Sequence, residues 1–148
     1  LNLLTNLNIS FNELSHLPDS IGNLKSLKRI DLSNNKISDL PESIGALVSL
    51  TECYLGRNPL AAIPPSIGSL KRIKWLFISD CKMTELPETI GNLQSLTELN
   101  ITGNSFTKIP SGVFELKRLD QLRLDLGFSQ EETALLKETL KDTRIIFE

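Results

Sequence analysis

One 23-residue spacing of apolar side chains returns along most of this chain, and a chain so patterned can bury its core only by stacking each unit on the next. From Leu4 the order L-x-x-L-x-L-x-x-N-x-L-x-x-L-P-x-x-I-G-x-L-x-x runs through and restarts at Leu27, Leu50, Ile73, Leu96 and Leu119. The asparagine column reads Asn12, Asn35, Asn58, Cys81 and Asn104, the proline column Pro18, Pro41, Pro64, Pro87 and Pro110, and the glycine column Gly22, Gly45, Gly68 and Gly91, with Phe114 in the fifth unit. Composition repeats the message. Leu (28) and Ile (14) outnumber Val (2) and Ala (4), so one local environment recurs many times.

The spacing predicts a short strand in each unit, the units lining up as one parallel sheet. Leu7/Ile9, Ile30/Leu32, Cys53/Leu55, Leu76/Ile78, Leu99/Ile101 and Leu122/Leu124 would point inward. The Asn column would satisfy orphaned backbone groups at the turn leaving each strand, since an amide both donates and accepts. Cys81 keeps only a weak donor there and is expected to lose part of that network. Proline, which removes a donor, and glycine, which permits unusual dihedrals, favour an extended or 3₁₀ return path over a long helix. A return path so short predicts a strongly curved body.

These residues carry a resemblance. Leu27-Lys28-Arg29-Ile30-Asp31-Leu32-Ser33-Asn34-Asn35-Lys36-Ile37 is similar to the signature L-x-x-L-x-L-x-x-N/C-x-L of the leucine-rich repeat proteins. The L-P-x-x-I-G-x-L tail resembles the short 23-residue variety, and the whole chain looks most like the repeat proteins of spirochaetes such as Leptospira. The resemblance implies an α/β fold: a leucine-rich repeat solenoid, or horseshoe, with a parallel β-sheet on its concave face, a 3₁₀ or extended convex side and a C-terminal cap. Residues 1–124 would hold the repeats, five full units and a partial sixth, and residues 125–148 the cap.

The two ends differ. Leu1 falls in the column of Leu24, Leu47, Leu70, Leu93 and Leu116, so the sequence begins inside a unit, and we expect Leu1, Leu3, Leu4 and Leu7 to be uncovered core and the chain to be a fragment. At the other end Gly127 replaces the expected Asn. Ser129 and Glu132 form a capping box, which predicts a helix from about Gln130 to Lys141 with Leu135, Leu136 and Leu140 inward. Arg144–Glu148 then has strand character, burying Ile145 and Phe147, or Ile146, by alternation. This helix-plus-strand ending is the feature that favours the spirochaete resemblance.

Positions 3, 5 and 7 of each unit alternate with the buried leucines and face out of the sheet. Position 3 holds Asn6, Arg29, Glu52, Trp75, Glu98 and Gln121; position 5 holds Asn8, Asp31, Tyr54, Phe77, Asn100 and Arg123. The only Trp and the only Tyr of the chain thus share this face with Phe77 in adjacent units. One explanation is cross-strand packing of aromatics on a sheet surface. The other is a recognition patch, because Trp, Tyr and Arg concentrate at the energetic centres of interfaces. Arg29, Asp31, Glu52, Arg57, Asp80, Glu98 and Arg123 would ring the patch with mixed charge, which favours a protein or peptide partner over a polyanion.

Other classes find little support. Net charge is −2, with no basic field to draw nucleic acid, and no apolar run approaches the roughly 18 residues of a membrane span. One His and two separated Cys build no His/Cys zinc site, no cofactor motif is present, and His16 lies on the convex side with no catalytic company. Cys53 and Cys81 read as reduced structural thiols. Asn8-Ile9-Ser10 and Asn100-Ile101-Thr102 are glycosylation sequons, and the repeat itself places Asn and Ser/Thr at those two positions. The expected function is therefore non-enzymatic: binding a partner protein on the concave face, as a bacterial secreted or surface protein engaging host or bacterial proteins. The alternatives are an intracellular scaffold similar to the Ras-interacting short-repeat proteins, or a homodimer through the first repeat or the aromatic patch. Secretion or surface display is favoured over the cytoplasm.

Overall fold

The computed structural model describes residues 3–148, and Leu1, expected as uncovered core, lies outside the described residues. Six strands come from the repeats: β1 Asn6–Asn8, β2 Arg29–Asp31, β3 Glu52–Tyr54, β4 Trp75–Phe77, β5 Glu98–Asn100 and β6 Gln121–Leu124. With β7 Arg144–Phe147 they form one parallel sheet in chain order. Register is constant: Ile30, Cys53, Leu76, Leu99 and Leu122 sit side by side, each 1 % exposed or less. Burying the same column in every unit holds the stack together without long-range chain crossings.

The return path is 3₁₀ throughout, at Asp19–Asn23, Glu42–Ala46, Pro65–Ser69, Glu88–Asn92 and Ser111–Glu115. Each starts behind the column proline, whose carbonyl accepts from the residue three later, as Pro41 does from Ile44 at 3.0 Å. A proline fits there because its fixed φ suits the turn and its missing N–H is not needed. The glycine column works differently from the sequence expectation. Among the described residues positive φ occurs in glycine only at Gly103 and Gly127, so the column does not serve unusual dihedrals. It serves close approach: a Cβ at Gly22 would lie 2.7 Å from the Ser43 carbonyl oxygen of the next unit. Long polar side chains then tie neighbouring turns. Lys71 Nζ donates to the Gly68 and Asn92 carbonyls at 2.8 and 3.3 Å, and Lys25, Gln94 and Lys117 occupy the same position; Val48, in that column, is 54 % exposed.

The asparagine column is a ladder. Asn58 Nδ2 donates to Leu32 and Leu55 carbonyls at 3.0 and 2.8 Å while its Oδ1 accepts from Ile37 N at 3.0 Å, so one buried amide binds its own turn and the unit before it. Asn35 and Asn104 repeat the pattern. Cys81 keeps the donor half, to Leu55 and Ser79 carbonyls at 3.5 and 3.3 Å, and loses the acceptor half that would serve Leu60 N. Both cysteines are buried and unpaired, and burial pushes the Cys53 thiol up to about 12.

At the C-terminal end Ser129 caps helix α1, Gln130–Thr139, as a full capping box. The hydroxyl of Ser129 and its backbone N–H both donate to Glu132, which lowers that carboxyl's pKa. The helix ends two residues before the expected Lys141, and Leu135 is a correction: it is 52 % exposed, whereas Leu136 and Leu140 are buried. Residues 135 and 136 stand about 100° apart around the axis, and the inward direction is taken by the pair four apart. β7 pairs with β6, and Ile145 and Phe147 pack on the core. Leu3 at the opposite end is exposed, with Leu4 and Leu7 half-buried.

Candidate protein-binding face

The constant register puts Arg29, Glu52, Trp75 and Glu98 in one row across β2 to β5, and Asp31, Tyr54, Phe77 and Asn100 in a second row. Adjacent parallel strands are about 4.8 Å apart, so neighbours in a row touch. Tyr54 and Phe77 stack with ring centroids 5.2 Å apart and planes at 29°. The Arg29 guanidinium lies over the Tyr54 ring at 4.4 Å, and its Nη1 donates to Glu52 Oε2 at 2.7 Å and to the Tyr54 hydroxyl at 3.3 Å. That hydroxyl donates in turn to Glu52 Oε2 at 3.2 Å. Burial, and next the Glu52 carboxylate, raise the phenol's pKa, so it stays a neutral donor. Three strands thus hold one ring in one place.

Trp75 stands outside that stack. It is 36 % exposed, with Glu52 and Glu98 opposite it on the two neighbouring strands. The aromatic surface therefore has two parts: a Trp between carboxylates, and a Tyr–Phe pair at the other end of the same strands. Above the pair opens a depression of about 200 Å³, lined by Ser33, Asn34, Tyr54, Gly56, Arg57, Phe77, Ser79 and Asp80. Arg57 Nε lies 3.6 Å from Asp80 Oδ2. Both side chains are mostly exposed, and such a pair contributes about 0–1 kcal/mol to stability.

Two of the expected rim residues have other engagements. Asp31 Oδ1 accepts from Ser33 N and Oγ at 3.1 and 2.6 Å, closing a local turn. Arg123 bonds Glu148 at 3.1 Å on β6, two strands from Phe77, and so does not ring the patch as expected. Glu98 stays beside Trp75. The depression's remaining lining, Ser33, Asn34, Gly56 and Ser79, was not anticipated as part of a site. A signal existed in the columns. The residue after position 7 has left-handed backbone in five units, at Phe11, Asn34, Arg57, Asp80 and Gly103, so the chain folds back over the strand ends there. Gly103 lies against Asp80, whose carboxylate would have to move aside for a Cβ.

The sequons have a structural explanation in the same turn. Asn8 Oδ1 accepts from Ser10 N and Oγ, and Asn100 Oδ1 from Thr102 N and Oγ1, as Asp31 does from Ser33. Among the described residues no group of three His, Cys, Asp or Glu is placed to hold a metal ion, and no helix is long and apolar enough to cross a membrane.

Residues 2–60 match the family model described as leucine rich repeat, and residues 63–131 the one described as leucine-rich repeat region. A solved leucine-rich repeat protein of Leptospira interrogans superimposes with TM-score 0.85 at 28 % identity, over 97 % of this chain and 42 % of that one. A TDR receptor does so with TM-score 0.78 at 28 % identity, over 97 % and 26 % of the two chains. The internalin InlF of Listeria monocytogenes, at 19 % identity and TM-score 0.76 over 98 % and 43 %, shares the fold. The chain spans less than half the length of each of these structures. Comparison with curated proteins returns no match. Matched over two consecutive stretches and stacked as one parallel sheet on 3₁₀ turns, the chain belongs to the leucine-rich repeat proteins.

Proposed function

We propose that this chain is a protein-binding module that receives its partner on the outer sheet face of β3 and β4. The observation that carries the reading is the fixed aromatic pair Tyr54 and Phe77, stacked at 5.2 Å and clamped by Arg29 and Glu52, with Trp75 exposed beside it. Rings held before binding lose little freedom on contact, and rotamers already fixed reduce the ordering cost of association. Trp, Tyr and Arg at the middle of a polar rim are the residue types that dominate binding energy. Arg29, Asp31, Glu52, Arg57 and Glu98 supply charge of both signs around the rings, which suits a folded protein or an extended peptide and gives a polyanion no continuous field.

Likeness to the Leptospira protein supports a bacterial setting, and the proposal extends to a secreted or surface-displayed protein with a host or bacterial protein as its partner. The reading is tested by selecting a displayed random-peptide library on the immobilised protein. Selected peptides should lose at least tenfold in affinity on Trp75→Ala and on Phe77→Ala, and keep it on Glu42→Ala, which lies on a 3₁₀ turn of the opposite side. Binders indifferent to both aromatic changes, or a library that yields none, would overturn it. Sedimentation of the same samples shows whether a second copy already occupies the face.

A further inference from the structure

The turn leaving the strand takes a side-chain oxygen from position 5 in some units only; the adjacent third and fourth units, and the sixth with Arg123 there, do not supply their own. In the first, second and fifth units the side chain at position 5 delivers it: Asn8 to Ser10 N, Asp31 to Ser33 N and Asn100 to Thr102 N, each at 3.0 or 3.1 Å. In the third and fourth units position 5 is Tyr54 and Phe77, which carry no oxygen able to fold back onto the turn. Among the described residues no protein atom accepts from Gly56 N, Ser79 N or Ser79 Oγ, although Gly56 is buried. Buried N–H groups without an acceptor are rare in folded proteins. Gly56 and Ser79 both line the depression above the aromatic pair, and Arg57 shares it, its Nε 3.6 Å from Asp80 Oδ2 and, among the described residues, with no hydrogen-bond acceptor for its guanidinium.

We propose that this depression is a subsite for an acidic side chain of the protein partner, whose carboxylate takes on Gly56 N, Ser79 N and Ser79 Oγ the place that Asp31 Oδ1 takes on Ser33, opposite Arg57. The fold contains the template of the contact one unit away, with Ser33 N and Oγ at 3.1 and 2.6 Å from a carboxylate oxygen. A depression of about 200 Å³ holds a carboxylate and its methylene, and the rings of Tyr54 and Phe77 provide the wall for that methylene. Arg57 matters because a charged acceptor in a half-enclosed place needs a cation, and guanidinium nitrogens pair with carboxylates in two-pronged geometry. The inference rests on the protein-binding reading and specifies the chemistry of the segment that enters.

The test is a backbone-amide NMR titration of the 148-residue chain with N-acetyl-aspartate N-methylamide, against N-acetyl-alanine N-methylamide as the uncharged probe. The aspartyl probe should move the Gly56 and Ser79 amide protons downfield saturably, and the alanyl probe should not. Phe77→Asn rebuilds the internal acceptor for Ser79 and should cut the Ser79 shift at least fivefold; Arg57→Gln should weaken the aspartyl probe at least fivefold with the spectrum otherwise folded. Equal shifts from the two probes, none from either, or aspartyl shifts untouched by both substitutions would overturn the subsite. Library peptides that depend on Trp75 while the aspartyl probe leaves Gly56 and Ser79 unmoved would refute the subsite and leave the protein-binding reading standing.

Discussion

At positions 3, 5 and 7 the second and fourth units differ by two residues, and the difference separates what builds this solenoid from what decorates it. In the second unit Asp31 closes its own turn on Ser33, so Ser33 N and Oγ are already engaged. In the fourth, Phe77 replaces the acid and stacks on Tyr54, so the turn keeps its donors and the strand gains a half-buried ring. The inward residues of the two units are alike: Ile30 and Leu32 against Leu76 and Ile78, all 0 % exposed. Equal cores with unequal faces mean that the fold tolerates the aromatic substitutions without needing them.

The largest expected break in that comparison is on the inside. Leu76→Ala should cost about 2–5 kcal/mol in urea unfolding, the size of a cavity in a packed core, while its neighbour Trp75→Ala should cost under about 1 kcal/mol. Next comes the asparagine ladder, complete at Asn35 in the second unit and reduced to its donor half at Cys81 in the fourth. Asn58→Ala removes an acceptor for Ile37 N and donors for two carbonyls in a buried place, and should cost about 1–3 kcal/mol. A smaller effect separates capped turns from uncapped ones: Asn100→Ala strips the Thr102 cap and should cost about 1 kcal/mol, read from the same unfolding curves. The smallest sharpens the convex side. Val48→Lys would bring the column's missing cation to the Gly45 and Ser69 carbonyls and should stabilise by about 0.5 kcal/mol, seen as a higher urea midpoint with unchanged slope.

Much of this was legible in the sequence because a strict period converts one-dimensional spacing into a three-dimensional column. The strands, their order, the inward Leu and Ile, the Asn ladder with its Cys81 gap, and the Ser129 capping box all follow from residue type at a fixed position. The remainder depends on distances between neighbouring turns, which no column states. Glycine at Gly22, Gly45, Gly68 and Gly91 was expected to relax dihedrals and instead lets the 3₁₀ turns approach. Leu135 and Leu136 are adjacent apolar letters, and only the direction of α1 against the last unit decides which one is buried. The aromatic trio was legible as an outward set; its division into a Trp between two carboxylates and a Tyr–Phe pair beneath a depression was not, because side-chain rotamers set it. Arg123 was grouped with the patch by position, but its partner Glu148 lies beyond the repeat register.

The most direct test of a face that is surplus to the fold is a paired measurement on Trp75→Ala: urea unfolding, and binding of a library-selected peptide. The account predicts an unfolding free energy within about 1 kcal/mol of the parent together with at least a tenfold loss of affinity. A penalty above about 3 kcal/mol would place Trp75 in the core, and affinity that survives the change would mean that the partner binds elsewhere.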